Sequence, residues 1–220
     1  MPDPGLRELK KVRTHRHIAD TAARLFAERG YEHVAVSDVA REAEVAEQTV
    51  YNYFPTKEQL VMDRDQLVRD RLSDLIRSRP SGMTPSAAVR DFVLDQAEQI
   101  RKIPRNQWRG EIGYLAAVSP AVHRFVLEMG ERQAVAISEA IAETSEVAPE
   151  IARLHGMALA GVLQIIISEA GNRTFKKQSQ AKIADELHTI VRSMLDELDR
   201  WFNVSETASR SNTDSHRKRP

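Results

Sequence analysis

The sequence predicts an all-α fold. Three observations carry that prediction. Apolar residues recur at helical spacing along nearly the whole chain. The one β-like run, Val34-Ala35-Val36, is too short to build a sheet. The nine prolines and nine glycines fall mostly between the periodic segments. At 220 residues the chain can form one large domain, or a small one followed by a larger one. Its apolar fraction of 41% can supply a core, and Lys+Arg equal Asp+Glu at 32 each, so any basic footprint must be local. With no cysteine, disulfides, thiolate nucleophiles and Cys-based zinc sites are excluded. The N-terminal MPDPGLRELKKVRTHRH has no apolar signal-peptide core, and the longest apolar run, around Ile165–Ile167, is shorter than a bilayer span. The expectation is a soluble cytoplasmic protein with no membrane partner.

The first helix is expected from about Arg13 to Arg29, with Ile18, Ala22, Leu25 and Phe26 on one face. Gly30 supplies a left-handed position after its end, and Tyr31 can fold back onto it. Ser37 is the expected N-cap of a short second helix, with Asp38 favoured by the helix dipole and Val39, Ala40 and Ala43 inward. Glu44-Val45-Ala46 is a tight connection to a third helix, Glu47–Phe54. Thr56-Lys57-Glu58-Gln59 fits a capping box, so a fourth helix is expected from Lys57 to about Arg79. Residues 78–85, with Pro80, Gly82 and Pro85, read as a hinge. Further helices are expected at about 85–103, 105–118, 120–144, 148–171 and 179–203. Residues 205–220 have almost nothing to bury and read as a disordered tail.

Two short helices joined by a three-residue turn have helix-turn-helix geometry, in which the second helix enters the DNA major groove. The third helix has the composition this demands. Val50 and Phe54 anchor it inward against Leu25, Phe26, Val39 and Val45. Gln48, Thr49, Tyr51, Asn52 and Tyr53 face outward, with groups that reach base edges or phosphate oxygens. Lys57, beside the amides that open the fourth helix, is a candidate phosphate site.

Phe26-Ala27-Glu28-Arg29-Gly30-Tyr31, Val36-Ser37-Asp38-Val39-Ala40 and Thr49-Val50-Tyr51-Asn52-Tyr53-Phe54-Pro55-Thr56-Lys57-Glu58 resemble the signature of the TetR family of bacterial transcriptional regulators, over about residues 13–62. The resemblance implies an all-α homodimer on a pseudo-palindromic double-stranded DNA operator, usually a repressor released by a small molecule. Carried over residue by residue, Ser37 sits where the family caps helix two and touches phosphate. Gln48, Thr49 and Tyr51 sit at or near base-reading positions, and Asn52, Tyr53 and Lys57 at phosphate positions. Two residues depart from the pattern. Glu44 stands where the family usually has glycine in the turn, and a left-handed backbone there would cost about 1 kcal/mol. Ala46 stands where a Ser or Thr cap is common, and an Ala cap costs about 0.5–2 kcal/mol. Glu47 favours the helix dipole but repels phosphate. The arm before helix one, with Arg7, Lys10, Lys11, Arg13 and Arg16 against Asp3 and Glu8, is net positive and can reach phosphates or the minor groove.

The expected division is residues 1–56 for the arm and DNA-binding head, 57–79 for a connecting helix, 80–204 for ligand sensing and dimerisation, and 205–220 for the tail. Polar or polarizable residues among the apolar faces of the middle helices are the candidate ligand contacts: Phe92, Gln96, Trp108, Glu111, Tyr114, His123 and Met129, for a small apolar or amphipathic ligand. The helix at 148–171 is apolar on more than one side, with small residues Gly156, Ala160 and Gly161. It pairs naturally with the last helix in an isologous four-helix interface. Leu159, Val162, Ile166, Ile190, Met194, Leu198 and Trp201 are the expected dimer contacts. The chain lacks paired Glu-x-x-His motifs, a Gly-rich phosphate loop and a Gly-x-Ser-x-Gly elbow. No catalytic residue, cofactor or metal is therefore expected. The rival readings are a ligand-responsive activator, and a helix-turn-helix protein-binding adaptor without an operator.

Overall fold

The computed structural model describes residues 4–62, 65–103 and 107–217, without the side chains of Pro4, Leu6 and residues 206–217. The described residues form α1 (Pro4–Arg29), α2 (Val36–Glu42), α3 (Glu47–Tyr53), α4 (Asp65–Arg77), α5 (Pro85–Lys102), α6 (Ile112–Val118), α7 (Pro120–Thr144), α8 (Pro149–Phe175) and α9 (Gln180–Arg217). Short 3-10 turns occupy Tyr31–His33, Glu58–Leu60 and Trp108–Gly110. No strand occurs among the described residues, as the fold class requires.

Caps explain the bundle boundaries that matched expectation. Thr84 and Ser119 are N-caps whose side chains accept from Ala87 N (3.1 Å) and Val122 N (3.4 Å), and Pro85 and Pro120 each open the helix that follows. The expected hinge at 78–85 is tied down: Arg79 donates to Thr144 O (3.1 Å) and Ser145 Oγ (2.6 Å), pinning the end of α4 to the end of α7. Arg77 adds a two-pronged bond to Glu143 (2.6 and 3.1 Å).

Two hydrophobic cores result. The larger joins Leu72 and Ile76 of α4, Val89, Val93 and Ala97 of α5, Ile137 and Ile141 of α7, Leu159 and Val162 of α8, and Leu187, Val191 and Phe202 of α9. The smaller holds the head: Ile18, Leu25 and Phe26 of α1, Val39 of α2, Val50, Phe54 and Leu60. It also takes Leu115 from α6 and Val122 from α7, both essentially unexposed. By length and composition α8 could cross a bilayer, although its apolar residues are interrupted rather than in one long run. In the fold, 44% of its apolar window is buried inside the bundle, between α7 and α9.

Four boundaries differ most from expectation; one is the helix expected from 105, which begins only at Ile112, after the Trp108–Gly110 turn. The arm is not separate, because α1 begins at Pro4. The fourth helix does not start at Lys57. Thr56 N does donate to Gln59 Oε1 (3.3 Å), the return half of a capping box, but it closes only the Glu58–Leu60 turn. Buried Leu60 draws that turn into the head core, and α4 begins at Asp65. The backbone of α9 is helical to Arg217 rather than ending near 203, since lengthening an existing helix needs no new nucleus. Residues 218–220 of the expected tail lie outside the described residues.

Candidate nucleic-acid interface and adjoining cavity

The turn between α2 and α3 is a Schellman motif. Val45 N donates to Ala40 O (3.0 Å), and Glu44 N to Arg41 O (3.3 Å). This motif places its residue after the C-cap in the left-handed region, and Glu44 sits there at φ 54°. Ala46 is the N-cap of α3 with an extended backbone (φ −67°, ψ 145°) and no side-chain bond. Both departures read from the sequence are therefore present as geometry. Gly30 also has positive φ (81°), but ψ of 146° puts it in the extended region open only to glycine, not in the left-handed helical one. Tyr31 still packs on Phe26, ring centroids 5.1 Å apart.

Val50 and Phe54 are buried, and Gln48, Tyr51 and Asn52 are exposed on the opposite side of α3. Gln48 Nε2 donates to Asn52 Oδ1 (3.2 Å), so the two amides orient each other along the open face. Thr49 and Tyr53 are half-buried. Ser37 is exposed but is not the cap of α2. Ala35 holds that position, and the Asp38 carboxylate accepts from its N–H (2.9 Å). That bond, reinforced by Arg41, holds Asp38 below the usual carboxylate range. The oxygen of Ser37 is thus not spent on capping its own helix.

Lys57 does not extend outward. Its ammonium donates to Tyr31 O (2.7 Å) and lies 4.1 Å from the Tyr31 ring centroid, and partial burial lowers its pKa. An ammonium has three donors, and two remain. The helix N-terminus expected beside it is a 3-10 turn. Sequence reasoning missed His15, which stacks on Phe54 (4.5 Å) and meets Tyr53 edge-on (5.9 Å), fixing the end of α3 against α1. Its signal was spacing: His15 lies three residues before buried Ile18 on the same helical face. Arg24 ties α1 to α2 through Glu42 (2.7 Å).

Four of the seven candidate ligand contacts come together. Gln96, Trp108, Glu111 and Tyr114 line a cavity of about 430 Å³ between α1, α4, α5, α6 and α8. Phe92 packs on the larger core outside it, Met129 is buried elsewhere, and exposed His123 faces away from the bundle interior. Gln133, not singled out in the sequence, lines the cavity and is 2% exposed. Ala19 and Ala23 of α1 form part of the same wall, so head and bundle share it. The Trp108–Gly110 turn lies directly on α1: a Cβ on Gly110 would sit 2.1 Å from Ala23 O.

The expected dimer contacts on α8 need correction. Leu159, Val162 and Ile166 are buried in their own protomer. Leu154, Met157 and Ile165 are the residues α8 turns outward. A helix apolar on nearly every side gives no periodicity from which to choose its free face. On α9, Ile190, Met194, Leu198 and Trp201 are half-buried. Of the small residues, Gly156 is buried against α7, whereas Gly161 has open space above it.

An amino-terminal helix-turn-helix with a polar open face, carried on a larger helical bundle, defines the architecture of a helix-turn-helix DNA-binding protein. Residues 18–62 match the profile described as "Bacterial regulatory proteins, tetR family". The chain is 26% identical over 151 residues to the HTH-type transcriptional regulator TcmR of Streptomyces glaucescens, an alignment covering 69% of this chain and 62% of that protein. Over 60 residues it is 38% identical to the A-factor receptor protein of Streptomyces griseus, covering 26% of this chain and 22% of that one. The chain thus spans less than two thirds of the length of these curated relatives. Its fold is shared with native NalD, the secondary repressor of the MexAB-OprM multidrug efflux pump in Pseudomonas aeruginosa. That superposition has a TM-score of 0.54 and 18% identity, over 83% of this chain and 96% of NalD. Residues 18–62 therefore resemble the amino-terminal DNA-binding region of the tetR family of bacterial regulatory proteins.

Proposed function

We propose that this chain is a cytoplasmic, sequence-specific transcriptional regulator: a homodimeric repressor that leaves a palindromic operator when a small molecule fills the cavity. The observation that carries this reading is the two-sidedness of α3. Val50 and Phe54 bury one side, while Gln48, Tyr51 and Asn52 are exposed on the other. Gln and Asn can pair with adenine edges, and Thr49 can meet a thymine methyl. Ser37, Tyr53 and the two remaining donors of Lys57 are suited to phosphate oxygens. The exposed Arg7, Lys10, Lys11 and Arg13 extend the basic surface along the start of α1. In this reading residues 1–56 bind DNA, 57–79 connect, and 80–204 sense the ligand and dimerise. The dimer would form on the outer face of α8 and α9, through Leu154, Ile165, Met194, Leu198 and Trp201, and would set two α3 helices about 34–36 Å apart on one duplex face. Because α1 lines the cavity, a ligand that prefers a different packing there lowers operator affinity, and operator lowers ligand affinity by the same factor.

Selection of the purified protein against random duplexes, followed by sequencing, tests this. The expected result is enrichment of an inverted repeat and an affinity that falls steeply with salt. Failure to enrich any sequence at low salt, from a folded dimer, would overturn the operator reading in favour of a protein-binding adaptor. An activator would give the same enrichment and differ only in where the operator lies relative to the promoter.

A further inference from the structure

Two residues that line the cavity between head and bundle each carry a buried polar atom with no partner. Gln133 Nε2 donates to Asp65 Oδ1 (3.3 Å). The Asp65 carboxylate, itself buried, also meets Arg132 (3.3 Å) and Arg69 (3.4 Å). With its NH₂ donated to Asp65, the Gln133 amide turns its carbonyl away from that carboxylate. That carbonyl oxygen is buried with no partner. Trp108 Nε1–H is likewise buried with no partner. Both residues line the cavity. A buried acceptor and a buried donor left unmade are costly, and a molecule that satisfies both recovers that cost on binding.

The rest of the lining argues against a charged occupant. Ile100, Ile112 and Leu163 are among its apolar walls. Arg16 and Asp20, at its exposed edge, pair with each other (3.9 Å). Glu111 is already engaged. Among the described residues, no lysine lines the cavity to receive an anion. About 430 Å³ lies within the range that holds drug-sized ligands.

We propose that this cavity binds a neutral, largely apolar compound that donates one hydrogen bond to Gln133 Oε1 and accepts one from Trp108 Nε1–H, as a compound bearing a hydroxyl and a carbonyl group can. The proposal deepens the ligand-released regulator reading and rests on it for its biological meaning. Binding itself is tested independently of DNA.

The probe is 4-(hydroxymethyl)benzophenone, titrated calorimetrically into the full-length protein. Four analogues each change one feature. The methyl ether lacks the donor, 4-benzylbenzyl alcohol lacks the ketone, 4-benzoylbenzoate is an anion, and 4-benzoylbenzylamine is a cation. The expected order places the parent first, with each analogue weaker by about tenfold. Gln133→Leu is expected to abolish the preference over the methyl ether, and Trp108→Phe the preference over the deoxo compound. Should either variant fail to fold, the wild-type series still decides. Equal affinities, tighter binding of either charged analogue, or no binding by any of the five overturns the proposal. The same titrations are repeated with the selected operator duplex bound. The expected order of affinities with no effect on duplex release would overturn ligand release while the ligand class stands. Operator binding without that order would overturn the ligand class and leave the DNA reading intact.

Discussion

In the head, Val50 and Phe54 are anchored by residues within about forty positions of them, and each turn is fixed by a bond spanning five residues or fewer. In the bundle, α8 is apolar nearly all round, and what it buries depends on α7 and α9 arriving from either side. The difference shows what local spacing can determine. It sets a short helix and its turn completely, but it cannot choose the face of a helix that has no polar side. Yet the head is not self-sufficient, because Leu115 and Val122 of the bundle helices sit in its core.

The largest expected effect breaks the comparison at that point. Leu115→Ala should cost about 4 kcal/mol in urea unfolding, as for other fully buried leucines. If the two regions share one core, tyrosine fluorescence from the head and tryptophan fluorescence from the bundle should lose stability together. Separate transitions would show the head to be independent.

A second test sharpens the bundle side. His155 of α8 is 1% exposed, edge-on to Trp201 (4.3 Å) and Phe202 (3.8 Å) of α9, and burial pushes its pKa down to about 4. The unfolded chain takes up a proton near the ordinary histidine value while the folded chain stays neutral. Stability should therefore fall with pH between about 6.5 and 4, by on the order of 3 kcal/mol from this group. His155→Phe should flatten the curve in that window. An unchanged slope would mean that His155 is protonated where it sits.

The smallest effects belong to the head's turn. Glu44→Gly should relieve left-handed strain and stabilise by about 1 kcal/mol, less the backbone entropy glycine adds to the unfolded state. Ala46→Ser should supply the missing cap and gain about 0.5–1 kcal/mol. A loss of stability in either variant would mean that the native side chain contributes more than its backbone position costs.

These contrasts also mark what the sequence made legible. Glu44 and Ala46 stood out because the family resemblance implies a glycine and a Ser or Thr cap at those two places. The starts of α5 and α7 were legible because Thr84-Pro85 and Ser119-Pro120 are local start signals. Lys57 was placed in the right neighbourhood but turned the wrong way, because its partner, the Tyr31 carbonyl, lies 26 residues earlier. The start of α4 failed for a related reason: a capping box seals one turn, and tertiary burial of Leu60 decided what followed. Gln96, Trp108, Glu111 and Tyr114 could be picked out as polar groups among apolar faces. Gln133 could not, because its importance lies in an amide fixed by Asp65 from a different helix.

The two bundle residues in the head core also bear on how such a chain could be recombined. A DNA-reading head cut at residue 62 and joined to a foreign sensor would leave the places of Leu115 and Val122 empty, two side chains that no alignment of the matched segment contains. Exchange of specificities between relatives would therefore succeed by replacing the open face of α3 in place, residue for residue. The whole-domain graft would carry a hole where its neighbour used to reach in.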